Sequence, residues 1–144
     1  MFELDARLQA DTLLVGDFKL CRLLLMNDNH YPWFILVPKR RNLTEVFQLK
    51  TEDQEQMWRE VSAFAETLKD TFNVEKINIA TLGNVVSQLH IHVIGRKTTD
   101  AAWPGPVWGK VEAQAYSAEQ MKVVCEKLRM ALTENFEFLN KVAQ

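Results

Sequence analysis

Two histidines, His90 and His92, are placed where they could act together chemically. They alternate with apolar residues in the stretch 88–94, which reads Gln-Leu-His-Ile-His-Val-Ile. Successive side chains of a β-strand point to opposite faces, so Gln88, His90 and His92 are predicted to share one face. The stretch would therefore present two imidazoles and an amide side by side, and three interpretations of that arrangement are open.

The first interpretation is that both histidines are polar residues on a solvated sheet. The second is a metal site, because histidines at positions i and i+2 of a strand can both ligate zinc or iron. His30 and Asp28 are candidate third ligands, although their spacing is not diagnostic. The third is nucleophilic catalysis, in which a neutral imidazole attacks phosphorus and divides one displacement into two easier steps.

The turn before this stretch favours a phosphate substrate. Gly83 lets the backbone approach an anion closely. Asn84, Ser87 and nearby backbone N–H groups can donate to phosphate oxygens. Because the turn leads directly into the histidine stretch, a phosphate bound there would lie beside the imidazoles.

The rest of the chain must supply the elements that position this stretch. Alternating and apolar runs predict four strands at residues 11–15, 18–26, 33–37 and 76–82, and a fifth from residue 88 to near residue 96. Capping boxes at Thr51 and Ser117, each followed by an apolar stripe, predict two main helices. Short links between strands, with Gly16-Asp17 as a turn, favour antiparallel pairing. The predicted fold is α+β, with a five-stranded antiparallel sheet.

Composition narrows the classes of protein. A chain of 144 residues fits one domain with its own core. Its net charge of −2 gives no bulk attraction to nucleic acid polymers or acidic membranes. No apolar run approaches the roughly 20 residues that span a bilayer, and the start of the chain lacks signal-peptide features. Cys21 and Cys125 are predicted to be packed thiols. We therefore expect a cytoplasmic protein.

The region from Asn78 to Ile94 resembles the signature of the histidine triad (HIT) family of nucleotide hydrolases and transferases. In that signature three histidines alternate with apolar residues after a Gly-Asn/Gln-Ser/Thr-like turn. Residues 25–28 and 32–39 resemble the nucleotide-pocket strand and the strand that follows it. The resemblance covers about residues 10–96 of an expected single HIT-like domain, 1–144, and a loop and helix at 97–144 lie beyond it.

The resemblance implies hydrolysis of a nucleotide phosphoanhydride or phosphoramidate, such as a dinucleoside polyphosphate or an AMP conjugate. His90 stands at the position of the nucleophile, which would form a nucleotidyl-histidine intermediate. His92 stands at the third triad position, which contacts the phosphate and helps to position or protonate the departing group. The implied substrate-binding residues are Asn27 or Asp28 for the ribose, Asn78 near the site, and Asn84 and Ser87 at the phosphate.

The resemblance also bears on cofactors and partners. It requires no cofactor and no protein-bound metal, although Mg²⁺ could accompany the substrate phosphates. It implies a nucleotide as the small-molecule partner. It further implies a homodimer in which two sheets continue across the interface, and this would cover an edge strand.

Two positions depart from the family pattern. Gln88 occupies the first triad position, where an amide can hydrogen-bond but cannot titrate near pH 7. Trp33 occupies a strand position where many relatives carry another histidine. These departures make a non-catalytic or weakly active nucleotide-binding module an alternative, and a metal-dependent enzyme using the His-x-His pair is a second alternative.

Residues 103–109, here called the Trp-Pro-Gly segment, contain two tryptophans, two prolines and two glycines. They can form neither a helix nor a regular ladder. They resemble a feature of one bacterial subgroup of the family, in which glutamine takes the first triad position. The segment is predicted to form a wall of the pocket, a dimer contact or a plug in the core.

Overall fold

The computed structural model describes residues 1–139. Its centre is one antiparallel sheet with the spatial strand order β4-β5-β3-β2-β1-β6. The strands are β1 Thr12–Asp17, β2 Cys21–Met26, β3 Trp33–Pro38, β4 Lys76–Ala80, β5 Ile91–Arg96 and β6 Glu137–Phe138. The predicted α+β class is confirmed. The strand number is corrected from five to six, because the two-residue β6 returns to pair with β1.

Three α-helices pack on this sheet: α1 Ala6–Asp11, α2 Thr51–Phe72 and α3 Ala118–Ala131. The two long helices are those predicted, and the capping box between Ser117 and Gln120 is present at the start of α3. The capping box predicted at Thr51 is wrong, because Thr51 is the first residue of α2, the N-cap is Lys50, and no side chain caps the helix. Within residues 1–139, no helix has the length and apolar character needed to cross a membrane.

Both faces of the sheet are covered, which makes the strands that carry the site fully buried. Phe34 and Leu36 of β3 pack with α2 and α3 in one core cluster. Trp33 and Ile35 of the same strand face a second cluster that includes Leu8 of α1. The histidine face of β5 is therefore an interior surface, and the interpretation of the histidines as solvated sheet residues is wrong: His90 is 6% exposed and His92 is 4% exposed.

A buried carboxylate fastens α2 to the start of β2. The Glu60 side chain accepts from the backbone N–H groups of Leu20 and Cys21, at 2.9 and 2.8 Å. Gln56 Nε2 donates to the same carboxylate at 2.7 Å. Because buried N–H groups need acceptors, this contact fixes the height of α2 on the sheet. The predicted packing of both cysteines is confirmed, since Cys21 and Cys125 are free and buried.

The glycine predicted to turn the first hairpin has another role. Gly16 and Asp17 belong to β1, and the turn comes later, where the Phe18 N–H donates to the Cys21 carbonyl at 2.8 Å. A Cβ atom on Gly16 would collide with the Glu137 carbonyl oxygen. The glycine therefore permits the close approach of β6, a need that cannot be seen in local sequence.

Candidate active site

The two histidines open into a cavity of about 310 Å³. It lies on the face of the sheet that α1 covers. Its lining residues come from α1, the central strands, the turn before β5 and the Trp-Pro-Gly segment. They are Arg7, Leu8, Asp11, Met26, Ile35, Leu82, Gly83, Asn84, Val85, Val86, His90, His92 and Trp108.

His90 is held in the tautomer that a nucleophile needs. Its Nδ1 lies 2.7 Å from the backbone carbonyl oxygen of Gln88. A carbonyl oxygen only accepts hydrogen bonds, so Nδ1 carries the proton and donates it. In the neutral ring, Nε2 then carries the lone pair, which is the reactive form of an imidazole nucleophile.

His92 is held in a tautomer with the proton on the other ring nitrogen. The indole Nε1 of Trp33 lies 2.9 Å from His92 Nδ1 and donates to it. Because an indole N–H can only donate, Nδ1 accepts and the proton of the neutral ring lies on Nε2. Burial, and then the neighbouring His90, lower the pKa of His92 to about 3. His92 is thus a neutral donor through Nε2, with its ring 5.0 Å from that of His90.

The Trp-Pro-Gly segment forms one wall of the cavity. The Trp108 ring packs edge-on against His92, with centroids 4.9 Å apart, and against Trp33 at 5.7 Å. Val107 of the same segment is buried in the core cluster of Trp33. Trp108 therefore forms part of the pocket wall and its neighbour Val107 fills the core. These are two of the roles predicted for the segment.

A buried guanidinium holds this wall in place. Arg96, at the end of β5, is 1% exposed and donates to both carboxylate oxygens of Asp100, at 2.8 and 3.0 Å. It also donates to the Gly105 carbonyl and to Asn78 Oδ1, each at 2.8 Å. Asn78 is thus bound to Arg96 and does not line the cavity, so its support of the site is indirect.

The structure places Gln88 differently from the sequence interpretation. Because β5 begins at Ile91, strand alternation does not extend back to Gln88. Its Oε1 accepts from the Asp5 N–H and its Nε2 donates to the Glu3 carbonyl, both at 2.8 Å. Asp5 in turn caps α1. The first triad position therefore anchors the chain that leads into α1, which forms another wall of the cavity.

The polar loop after β2 is occupied by structural bonds. Asn27 Oδ1 accepts from the Tyr116 N–H at 3.0 Å. Asp28 is buried and accepts from the backbone and ring of His30 and from the Gln114 N–H. These bonds tie the loop to the segment before α3, and the structure does not bring Asn27 or Asp28 into the cavity.

Of the predicted phosphate-binding turn, Gly83 and Asn84 line the cavity, whereas Ser87 does not. Gly83 has a φ of +85°, a conformation that glycine adopts without strain. Among residues 1–139, no three His, Cys, Asp or Glu side chains are grouped to hold a metal ion. His30, a candidate third ligand, is bonded to Asp28 instead.

The cavity, the paired histidines and the preceding turn agree with a family match. Residues 7–99 match the model of the HIT domain. The chain belongs to the HIT domain family. Its fold matches a histidine triad (HIT) protein from Sinorhizobium meliloti at 43% identity and a TM-score of 0.89, covering 92% of this chain and 98% of that one.

The chain is also similar to a second solved structure and, at lower identity, to a curated protein. A histidine triad protein from Marinobacter aquaeolei is 46% identical with a TM-score of 0.90, over 94% of this chain and 98% of that one. A bis(5′-adenosyl)-triphosphatase from Dictyostelium discoideum is 26% identical in an alignment 111 residues long, and the match covers 72% of this chain and 74% of that one.

The HIT resemblance did not identify every residue of the cavity. Arg7 and Asp11 of α1 line it, with Arg7 Nε 3.5 Å from the Asp11 carboxylate. Asp5 as a cap and a charged pair at i and i+4 indicate a short helix here, but no motif marks its side chains as part of a site. Arg7 is the one Lys or Arg side chain among the described lining residues.

Replacing Gln88 with alanine should loosen the α1 wall of this HIT domain. Two hydrogen bonds of about 1 kcal/mol each are lost, so amide exchange at Asp5 and in α1 should accelerate roughly 10- to 100-fold. Amides in the middle of β5 should keep their rates. Ser87→Ala, at the exposed neighbouring position, is the control. Unchanged exchange at Asp5 in Gln88→Ala would contradict the anchoring role.

The depressed pKa of His92 should appear in the pH dependence of stability. Below about pH 6.5 the unfolded chain binds a proton at His92, whereas the folded chain does not until the pH approaches about 3. Across that window wild-type stability should fall with decreasing pH by about 1.4 kcal/mol per unit more than His92→Gln stability. Urea unfolding at pH 7.0, 5.5 and 4.5 measures both slopes, and equal slopes would rule out the depressed pKa.

Proposed function

We propose that this HIT domain is a nucleotide hydrolase that acts through a nucleotidyl-histidine intermediate on His90. The observation that carries the proposal is the hydrogen bond from His90 Nδ1 to the Gln88 carbonyl. This bond leaves the Nε2 lone pair free to attack phosphorus. The substrates are nucleotide phosphoanhydrides or phosphoramidates. The similarity to a bis(5′-adenosyl)-triphosphatase supports a dinucleoside polyphosphate.

The reaction has two displacements at phosphorus. In the first, His90 Nε2 attacks the α-phosphorus, an N–P bond forms, and the bond to the leaving group breaks with its electron pair on that group. The positive charge that develops on the phosphorylated ring is stabilised by the Gln88 carbonyl through Nδ1–H. In the second, water attacks phosphorus, the N–P electrons return to His90, and a proton passes to solvent.

Groups around the cavity would hold the phosphates. His92 donates from Nε2 to an oxygen of the α-phosphate. Asn84 and the turn at Gly83 supply further donors. Arg7 adds a permanent positive charge from α1, which suits a substrate with more than one phosphate. Mg²⁺ bound to the substrate phosphates is compatible with these roles, and no cofactor is part of the proposal.

The decisive test compares histidine variants on a dinucleoside triphosphate and an AMP-morpholidate. His90→Ala should lose about 10³-fold or more of the turnover, as expected for removal of a nucleophile. His30→Gln, which changes the third histidine and can still bond to Asp28, is the matched control and should keep its activity.

Three results would redirect the proposal. Equal AMP release by His90→Ala and the wild type would show that His90 is not the nucleophile. AMP binding with no turnover of either substrate would indicate a nucleotide-binding module. Stoichiometric transition metal, with activity lost to a chelator, would indicate a metal-dependent enzyme.

We also propose that two copies of the chain pair through β4. This strand forms one edge of the sheet, and its Ile79 side chain is 46% exposed. Antiparallel pairing of two β4 strands would continue the sheet and satisfy its unpaired backbone groups. Such a homodimer would also cover the exposed Ile79 side chain.

Light scattering tests this pairing. The wild type should show about twice the chain mass of 16.7 kDa, and Ile79→Lys should shift it toward the monomer because two lysines would meet at the edge. Val123→Lys, an exposed apolar position on α3, is the control and should remain dimeric. Pairing through β4 would be refuted if the wild type had the mass of a monomer, or if Ile79→Lys left the mass of the dimer unchanged.

A further inference from the structure

The bond between Trp33 and His92 limits which protons the site can transfer. His92 Nδ1 accepts from the indole N–H at 2.9 Å. We infer that His92 cannot protonate a leaving group, and that the site therefore selects nucleotide phosphoanhydrides over phosphoramidates of basic amines. This inference rests on the proposed function and deepens it by choosing between its two substrate classes.

Trp33 is held firmly in its donating position. It is 6% exposed, and its backbone pairs with Ile94 in the centre of the sheet. Its ring has edge contacts with Tyr31 and Trp108, at centroid distances of 6.3 and 5.7 Å. The indole therefore has no room to turn away from His92. Trp33 acts as a positioning residue, since it reaches the substrate only through the imidazole.

The number of protons on the His92 ring shows why the hydrogen bond from Trp33 prevents proton transfer to a leaving group. The neutral His92 ring has one proton, on Nε2. If that proton passed to a leaving group, the ring would become an anion with no proton on either nitrogen, because an indole N–H only donates a hydrogen bond and does not give up its proton. Protonating Nδ1 first would set two N–H groups against each other and break the bond to Trp33.

Among the residues described, the other titratable groups of the cavity do not replace this missing acid: the Asp11 carboxylate is paired with Arg7 at 3.5 Å, where it acts as an acceptor. The proton of His90 is on Nδ1, bonded to the Gln88 carbonyl, and His90 Nε2 is taken up by phosphorus. Arg7 keeps its proton in proteins. The imidazoles themselves are shielded from bulk solvent, with His90 6% exposed and His92 4% exposed, and water reaches the phosphorus only after the leaving group has left the cavity.

The two substrate classes differ in their need for a proton. When an anhydride P–O bond breaks, the electron pair remains on a phosphate oxygen, and the group departs as an anion that is stable without a proton. When a phosphoramidate P–N bond breaks, the nitrogen must gain a proton to depart as an amine. The first departure needs no acid, whereas the second needs an acid that the cavity lacks.

The test measures kcat/KM for a series that shares AMP as the transferred group. Diadenosine triphosphate is compared with adenosine 5′-phosphoramidates of aryl and alkyl amines of graded basicity. We expect the anhydride to exceed the alkyl phosphoramidate by about 100-fold, the lower range of a general-acid contribution. Among the amines, the rate should fall steeply as basicity rises. Equal efficiency for the anhydride and the alkyl phosphoramidate would overturn the inference.

Two substitutions at Trp33 sharpen the comparison. Trp33→His supplies a partner that can share a proton with His92, and it should raise kcat on the alkyl phosphoramidate about tenfold relative to the anhydride. Trp33→Phe keeps an aromatic ring and removes the donor that fixes Nδ1 as an acceptor. It should shift the ratio in the same direction by a smaller factor, because burial and His90 still disfavour the charged ring. A ratio unchanged in both folded variants would contradict the role of the indole.

A spectroscopic measurement needs neither substrate nor variant. In ¹⁵N NMR of the wild type between pH 5 and 8, His92 should show a protonated Nε2 and an unprotonated Nδ1. The opposite tautomer, or a doubly protonated ring, would overturn the inference. The two proposals fail separately: turnover of neither substrate class defeats the proposed function, whereas equal turnover of both defeats only this selection.

Discussion

Because the face that carries the histidines is buried, each imidazole needs a protein partner for its Nδ1. That partner decides which ring nitrogen carries the proton. A buried polar atom without a hydrogen bond costs about 1–3 kcal/mol. His90 satisfies the requirement with a carbonyl, which only accepts, and His92 with an indole, which only donates. Two identical side chains with ring centroids 5.0 Å apart thereby differ in tautomer, so that Nε2 carries a lone pair in His90 and a proton in His92.

The walls around the two histidines are held in place by side chains that do not themselves line the cavity. The Gln88 amide anchors the chain before α1 on one side, and the buried Arg96 guanidinium anchors the Trp-Pro-Gly segment on the other. Both anchors adjoin the histidines in sequence, one just before β5 and one at its end. The stretch from Gln88 to Arg96 therefore presents the histidines and also anchors two walls of the cavity.

Much of this arrangement was predictable because its signals are local. Alternation indicated the strands and apolar stripes indicated the two long helices. The turn at Gly83, which leads directly into His90 and His92, indicated that the turn and the histidines line one cavity. The partners of Gln88, Asn78 and Asp28 were not predictable, because each bonds to a residue distant in sequence or to a segment without a pattern of its own. Trp33 was noticed only as a missing histidine, since its donor role depends on the diagonal proximity of β3 and β5.

The central claim is that His90 Nε2 is the atom that attacks phosphorus. Acid-quench trapping with a nucleotide labelled in its AMP portion tests it most directly, with the adduct mapped by peptide mass spectrometry. The account predicts one AMP per chain, attached to His90 and absent from His90→Ala. Label on another residue, or turnover with no trapped adduct at any quench time, would contradict it.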